Sequence, residues 1–147
     1  MSIKEKKVLV FGAFDLLHPG HKFFLRRAKE FGRQLIVVVT RDHTAAKQKG
    51  RRPTQSSQTR IAALKKIKFI NKIILGQASL DHKYALVKKI KPDIICLGYD
   101  QLNSVKKITA DLRRLGLNTN VIRLKSFFSR RYKSSILRQK LTAKRLR

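Results

Sequence analysis

The sequence predicts a single α/β domain of the Rossmann-like type, in which a parallel five-stranded sheet is flanked by helices. The chain has 147 residues, the size of one domain with one hydrophobic core. Short runs of Val, Ile and Leu recur along it, and they are too uniformly apolar to leave one face of a strand in water, as is typical of parallel strands. Amphipathic stretches of helical length separate these runs, which is the alternation that βαβ units produce.

Five strands and five helices follow from this pattern. The strands are expected at 7–11, 35–40, 72–75, 93–97 and 121–124. The helices are expected at 18–31, 57–67, 81–90, 102–115 and about 134–147, the last of them strongly basic. Gly32 and Gly116 directly follow the first and the fourth helix, where a glycine often ends a helix.

Two basic segments, 41–55 and 125–133, fit neither pattern. They follow the second and the fifth predicted strand. Because loops at the carboxyl ends of the strands line the ligand crevice of an open α/β sheet, both segments are placed where a functional site is expected.

The charge of the chain is strongly one-sided, with 36 Lys and Arg against 8 Asp and Glu and a formal net charge of +28. Such a field attracts nucleotides and gives salt-dependent binding of nucleic acids, although a solvated surface in a generally basic proteome has the same composition.

No apolar run approaches the length of a membrane span and no signal peptide fits before the first strand, so we expect a cytoplasmic protein with no membrane contact. The one cysteine, Cys96, lies in an apolar run and is expected in the core.

The run FGAFDLLHPGH, which ends at His21, follows the first strand directly. Pro19 suits the first position of a helix, which places His18 and His21 near an N-terminal turn whose N–H groups and dipole attract anions. Metal binding is the alternative, but no third Cys, His or acidic ligand lies at the spacing of a zinc site. The run therefore predicts a phosphate site.

The pattern Gly-x-Phe-Asp-x-x-His-x-Gly-His resembles the signature of the cytidylyltransferase-like nucleotidyltransferases. The resemblance implies that His18 and His21 contact a nucleoside triphosphate and stabilise the transition state at its α-phosphorus. It also implies that the backbone at Gly12, Ala13 and Phe14 lies along the phosphates.

Asp15 follows the same turn, and the resemblance leaves two roles open for it. It would orient the site or hold the metal, and a simple Asx turn or cap without either role explains an aspartate here equally well. The metal is expected to be Mg²⁺ or another divalent cation, which binds through one or two carboxylates plus substrate oxygens.

The basic segment after the second strand contains a second family feature, a strand-end acid, a Lys-rich stretch with Gly-Arg-Arg-Pro and an arginine that opens the next helix. By the resemblance, Lys47 or Lys49 contacts phosphates or the acceptor. Asp42 and Arg60 are expected to bind the acceptor or to support the site. Mobile cations that close over a triphosphate neutralise charge in the transition state.

Two further motifs complete the resemblance. The stretch PDIICLGYDQ looks like the corresponding stretch of archaeal-type FAD synthases, which transfer AMP from ATP to FMN, and it places Asp100 near the sugar or base of the nucleotide. The stretch SRRYKSSIL looks like the closing motif of the family. In it Arg130 or Arg131 would clamp phosphate oxygens, and Ser134 or Ser135 would cap a helix that faces the phosphates.

The four motifs predict an enzyme that moves a nucleotidyl group from a nucleoside triphosphate to a phosphorylated small acceptor and releases pyrophosphate. ATP and FMN are the preferred substrates, and CTP with glycerol 3-phosphate, or a sugar phosphate as acceptor, are the alternatives. Relatives often pair, so the resemblance allows a homodimer, although the sequence itself does not give the oligomeric state. A nucleic-acid-binding protein on the same fold is the non-enzymatic alternative, because a fold does not fix a function.

Overall fold

The computed structural model describes residues 5–76, 84–99, 101 and 104–125, and within them strands and helices alternate. The strands are β1 (Lys7–Gly12), β2 (Gln34–Val39), β3 (Lys72–Leu75), β4 (Ile94–Leu97) and β5 (Asn120–Arg123). The helices are α1 (Pro19–Lys29), α2 (Asp42–Lys49), α3 (Ser57–Lys65), α4 (Ala85–Ile90) and α5 (Val105–Arg114). The predicted helix at about 134–147 lies outside the described residues.

The five strands form one parallel sheet in the order β3-β2-β1-β4-β5, which confirms the predicted fold class. β1 is the central strand, and its residue Val8 pairs with Leu35 of β2 on one side and with Ile94 of β4 on the other. The chain runs outward from β1 to β3 and then crosses back to start the second half at β4. The strand order therefore reverses between β1 and β4, and ligands bind at the carboxyl ends of the strands at such a point.

Helices cover both faces of the sheet, as the uniformly apolar strands predicted. β1 shows the two faces, because Val8 and Val10 belong to one buried cluster and Leu9 belongs to the other. The helix residues buried on the two faces are Leu25, Ala28 and Leu64 from α1 and α3, and Val87, Ile108 and Leu112 from α4 and α5. In the described part of the chain, no helix is long and apolar enough to cross a bilayer.

α2 lies in the segment 41–55, for which the sequence predicted no helix. The segment is polar and buries few side chains, Thr44 and Ala45 among them, so it lacks the apolar stripe that reveals a helix in a sequence. Its ends are favourable instead. Asp42 lies in the first turn, where the helix dipole favours a negative charge, and Gly50 ends the helix with a φ of 77°.

The two glycines predicted to end helices behave differently. Gly116 follows α5 with a φ of 80°, in agreement with the prediction. The prediction for Gly32 is wrong, because α1 ends at Lys29 and the residue that caps it, Glu30, has an ordinary right-handed conformation. Gly32 is needed for another reason, since a Cβ there would lie 2.5 Å from the backbone oxygen of Lys6.

Candidate active site

The β1–α1 loop, residues 13–18, leaves the carboxyl end of β1 in an unusual backbone conformation. Phe14 and Leu16 both have a φ of 52°, in the left-handed region that non-glycine residues rarely adopt. Phe14 is buried, and a Cβ at Gly12 would lie 2.8 Å from its ring, so only glycine fits beneath it. Such strain persists where surrounding contacts hold the backbone, and it is found most often at functional sites.

His18 and His21 form a reciprocal cap at the start of α1. The Nδ1 atom of His18 accepts hydrogen bonds from the backbone N–H groups of Gly20 at 3.1 Å and of His21 at 3.4 Å. The Nδ1 atom of His21 in turn accepts from the backbone N–H of His18 at 3.3 Å. The sequence predicted both histidines at this turn and Pro19 at the first position of the helix, and α1 does begin at Pro19, one residue after the start of the predicted range 18–31. The sequence did not predict that His18 itself is the cap.

The same contacts fix the chemistry of the two rings. Because each Nδ1 accepts a hydrogen bond, the proton of the neutral ring lies on Nε2, which makes both Nε2 atoms donors. The rings stack with their centroids 3.7 Å apart and their planes 21° apart, and the Phe14 ring packs edge-on against His21 at 5.6 Å. Two adjacent N–H donors at a helix N-terminus form an arrangement suited to phosphate oxygens and to charge that develops on them.

Arg60 lies beneath this loop and is completely buried. Its Nη1 donates to the backbone oxygen of Ala13 at 2.7 Å, and its Nε donates to that of Gln55 at 3.1 Å. Its Nη2 lies 2.5 Å from an oxygen of Asp42 in the first turn of α2. Arg60 thus connects the β1–α1 loop, α2 and α3 below the crevice, and its complete burial gives it no route to substrate. The supporting role predicted for Arg60 and Asp42 is compatible with these contacts and stays a prediction.

The carboxylate of Asp15 is buried and accepts two backbone hydrogen bonds from the α2–α3 loop, residues 50–56. The N–H of Thr54 donates at 2.7 Å and that of Gln55 at 2.9 Å, one to each oxygen. Both oxygens therefore face amides, which is a poor arrangement for Mg²⁺, an ion that demands near-octahedral geometry and keeps several waters. The donor set does not fit a metal held by Asp15.

Gln101 and Arg123 hold the other side of the crevice, and sequence analysis missed both. The side-chain amide of Gln101 donates to the backbone oxygen of Phe11 at 2.9 Å and accepts from the N–H of Gly98 at 2.7 Å, so it joins the ends of β1 and β4. Arg123, at the end of β5, donates to the backbone oxygens of Gly98 at 2.8 Å and of Gln101 at 2.9 Å. Gln101 belongs to the GYDQ stretch, but the sequence predicted a functional role only for the neighbouring acid, Asp100.

The remaining predicted residues divide into two groups. Lys47 and Lys49 lie in the last turn of α2, and the side chain of Lys47 is exposed. Those outside the described residues are Asp100, Arg130, Arg131, Ser134 and Ser135. The roles of both groups stay predictions.

Cys96 lies near the carboxyl end of β4, beside Val10 of β1. It is therefore close to the crevice, but its side chain is fully buried. Burial in these apolar surroundings raises the pKa of its thiol to about 12. The thiol is therefore neutral at physiological pH and is not a nucleophile, and its predicted place in the core is confirmed.

Comparisons with known proteins agree with this geometry. The profile of the family described as cytidylyltransferase-like matches residues 9–140. The FAD synthase of Pyrococcus horikoshii is 39% identical over 145 residues, which cover 96% of this chain and 95% of that protein. The FAD synthase of Thermococcus kodakarensis is also 39% identical, over 94% of this chain and 93% of its own length.

Solved structures show the same relationship. A lipopolysaccharide core biosynthesis protein from Thermoplasma volcanium aligns with a TM-score of 0.76 and 33% identity, over 83% of this chain and 98% of that chain. A pantoate–β-alanine ligase from Francisella tularensis aligns with a TM-score of 0.58 and 17% identity, over 82% of this chain and 59% of that chain, and shares the fold alone. The predicted family is thus confirmed: the chain belongs to the cytidylyltransferase-like family and is a nucleotidyltransferase.

Proposed function

We propose that this chain is an FMN adenylyltransferase, which converts ATP and FMN to FAD and pyrophosphate. The observation that carries the proposal is the 39% identity to FAD synthases over almost the full length of both chains. The paired histidine donors at the start of α1 support the reaction type, because they lie where the strand order reverses and phosphates bind.

In this reaction an oxygen of the FMN phosphate attacks the α-phosphorus of ATP, and the bond to the pyrophosphate oxygen breaks. Negative charge develops on the oxygens around the α-phosphorus and on the leaving pyrophosphate. The Nε2–H groups of His18 and His21 donate to these oxygens, and their hydrogen-bonded Nδ1 atoms keep the rings in the donating tautomer. This direct transfer needs no covalent bond between protein and substrate, so the proposed catalysis consists of positioning and charge stabilisation.

Basic side chains are proposed to complete the phosphate site. Lys47 extends from the end of α2, and one of Arg130 and Arg131 would neutralise charge on the pyrophosphate. A divalent cation, when bound, supplies further neutralisation of the phosphates.

The substrates are tested by measuring pyrophosphate release with Mg²⁺, with ATP or CTP as donor and FMN, glycerol 3-phosphate or a sugar phosphate as acceptor. Turnover with ATP and FMN, with FAD identified by chromatography, is expected. Turnover only with CTP and glycerol 3-phosphate would keep the reaction type and overturn the proposed substrates. His43, an exposed histidine of α2, provides the matched control, since His43→Ala should retain activity that His21→Ala loses.

The charge of the protein favours a second, non-catalytic association with nucleic acids. Acidic side chains in the described part of the chain are largely engaged by internal hydrogen bonds or ion pairs, as Asp15, Glu30, Asp42, Asp93 and Asp111 show. With a net charge of +28, the surface is left strongly positive. We infer binding to arbitrary RNA that weakens steeply with salt, measured by fluorescence anisotropy from 50 to 200 mM salt as on the order of a hundredfold loss or more. Salt-independent binding, or none at 50 mM, would contradict this.

The predicted homodimer and the cytoplasmic location stay predictions. Sedimentation of the purified protein at several concentrations measures the first directly. A single species at the mass of one chain, 17.0 kDa, would contradict the dimer.

A further inference from the structure

We propose that Asp15 is a positioning residue which, together with Gln55, fastens the α2–α3 loop to the β1–α1 loop, and that it does not bind the metal. The inference rests on the proposed function for its kinetic part only. It concerns the Asp15–Gln55 latch, meaning the hydrogen bonds that these two side chains make across the two loops.

The latch is reciprocal. The Asp15 carboxylate accepts from the backbone N–H groups of Thr54 and Gln55, and the Gln55 side-chain oxygen accepts from the backbone N–H of Leu16 at 3.1 Å. Each loop thus offers a side chain to the backbone of the other, although the partners are 39 or 40 residues apart in sequence. The Asp15 carboxylate binds the main chain of the α2–α3 loop, and the Gln55 amide binds the main chain of the β1–α1 loop. These hydrogen bonds fix the distance between the two loops as well as their contact.

Burial explains why Asp15 needs this arrangement. Only 3% of the residue is exposed, and a carboxylate removed from water is unfavourable unless hydrogen bonds compensate its charge. Hydrogen bonds from backbone amides to an ionised carboxylate are among the strong ones, and here one amide faces each oxygen. To bind a metal, the Asp15 carboxylate would instead have to turn one of its edges toward the substrate phosphates.

The latch also holds the strained part of the β1–α1 loop. Leu16, whose N–H is bound by Gln55, has a left-handed backbone, as has Phe14 on the other side of Asp15. Two residues in this conformation persist only where surrounding contacts hold them. Arg60 adds a second attachment through the backbone oxygens of Ala13 and Gln55, so the two loops are joined at both ends of the strained segment.

Because of the latch, the position of the α2–α3 loop depends on the position of the β1–α1 loop. The α2–α3 loop bears Arg51 and Arg52, both exposed, and the β1–α1 loop leads directly into His18. Because the loops are fastened together, the backbone that bears Arg51 and Arg52 keeps its place relative to the histidine donors. Loss of the latch should weaken the binding of a phosphorylated substrate more than it slows the chemical step.

Two variants test the proposal in the full-length protein. Asp15→Asn has the same shape but replaces one acceptor oxygen by an NH₂ group, which cannot accept from an amide. Gln55→Ala removes the contact from the opposite side and leaves Asp15 in place. Asp93→Asn is the matched control, since the Asp93 carboxylate also accepts a backbone N–H, that of Lys7 at 2.8 Å, at the amino ends of the strands.

Three measurements are made on each variant, namely amide hydrogen exchange, KM and kcat for ATP and FMN, and the Mg²⁺ concentration for half-maximal activity. In Asp15→Asn we expect the amides of Thr54 and Gln55 to exchange at least tenfold faster. We also expect KM for ATP or FMN to rise about tenfold with a smaller fall in kcat, and the Mg²⁺ requirement to stay within twofold. Gln55→Ala should accelerate exchange at Leu16 and raise KM in the same direction, whereas Asp93→Asn should change none of these values.

A tenfold rise in the Mg²⁺ requirement with unchanged amide exchange would overturn the proposal and make Asp15 a metal ligand. Faster exchange with unaltered KM would also overturn it, because the latch would then be structural only. If Asp15→Asn does not fold, Gln55→Ala decides between the same outcomes. If the wild-type protein makes no FAD, the proposed function fails, while the exchange measurement still tests the latch.

Discussion

Two arginine–carboxylate pairs of similar length but different burial allow a direct test of what holds the crevice together. Arg60 lies 2.5 Å from Asp42 and is completely buried, while Asp42 is 35% exposed. Arg27 lies 2.6 Å from Glu30, with side chains that are 49% and 55% exposed. We compare Arg60→Met with Arg27→Met, since methionine keeps much of the apolar stem and removes the charged group in both.

The expected magnitudes differ several-fold. Arg60→Met removes three hydrogen bonds and leaves the backbone oxygens of Ala13 and Gln55 without this donor. Breaking a buried ion pair costs about 3–5 kcal/mol, and we expect the lower end of this range because Asp42 can regain water. Arg27→Met breaks a surface pair and should cost less than about 1 kcal/mol. At about 2–4 °C of Tm per kcal/mol, Arg60→Met should melt roughly 10 °C lower.

Urea unfolding followed by circular dichroism measures both free energies of unfolding, provided that the slope m is the same in each variant. Raising the salt concentration should weaken the Arg27 pair more than the Arg60 pair, because exposed charges are screened much more strongly than buried or partly buried ones. A loss below about 1 kcal/mol for Arg60→Met, or equal losses for the two variants, would refute the argument that Arg60 joins three elements under the site.

Three further predictions concern the crevice and the core. His21→Ala and His18→Ala should each lower kcat by on the order of a hundredfold and, since each ring makes one half of the cap of α1, each cost about 1 kcal/mol in urea unfolding; near-normal turnover in either would reject the donor role. Gly12→Ala would place a Cβ 2.8 Å from the ring of Phe14, which packs on His21. Because the clash would shift the His21 ring, kcat should fall by a larger factor than the loss of folded protein accounts for, and activity equal to that of the wild type would contradict this. Burial raises the pKa of Cys96 to about 12 from 9.0, so the folded thiol keeps its proton where the unfolded one loses it. The free energy of unfolding should therefore fall as the pH rises above 9, less steeply in Cys96→Val, and identical pH profiles of the two proteins would count against this account.

The fold and the position of the site followed from the sequence because both depend on local patterns. Uniformly apolar runs indicate buried parallel strands, and the ends of such strands must meet at one edge of the sheet. His18 and His21 were identifiable because a turn, a proline and a helix start stand next to them in the chain. α2 was not identifiable, because a polar helix with few buried residues has no apolar period to detect.

The contacts that shape the crevice depend instead on which loops meet in space. The carboxylate of Asp15 binds backbone amides, and every residue except proline carries an amide, so nothing in the sequence around Thr54 marks it as the partner. Gln101 joins a backbone oxygen 90 residues away, that of Phe11, through a side chain with no charge to attract notice. The sequence therefore predicted the fold and the edge of the sheet at which the candidate site lies, but not the contacts that hold its loops in place.

The central place of β1 has a consequence for how this chain is made. β1 is synthesised first, but its partner on one side, β4, begins 86 residues after the paired Val8. At roughly 5–20 residues per second, the ribosome needs about 4–17 s to supply that partner. During this interval the edge of β1 that later pairs with β4, at Val8, Leu9 and Val10, has no strand beside it. The crevice then lacks the side that β4 and β5 form. The protein can acquire its activity only after β4 has emerged, and a nascent chain interrupted before that point carries an open strand edge prone to aggregation.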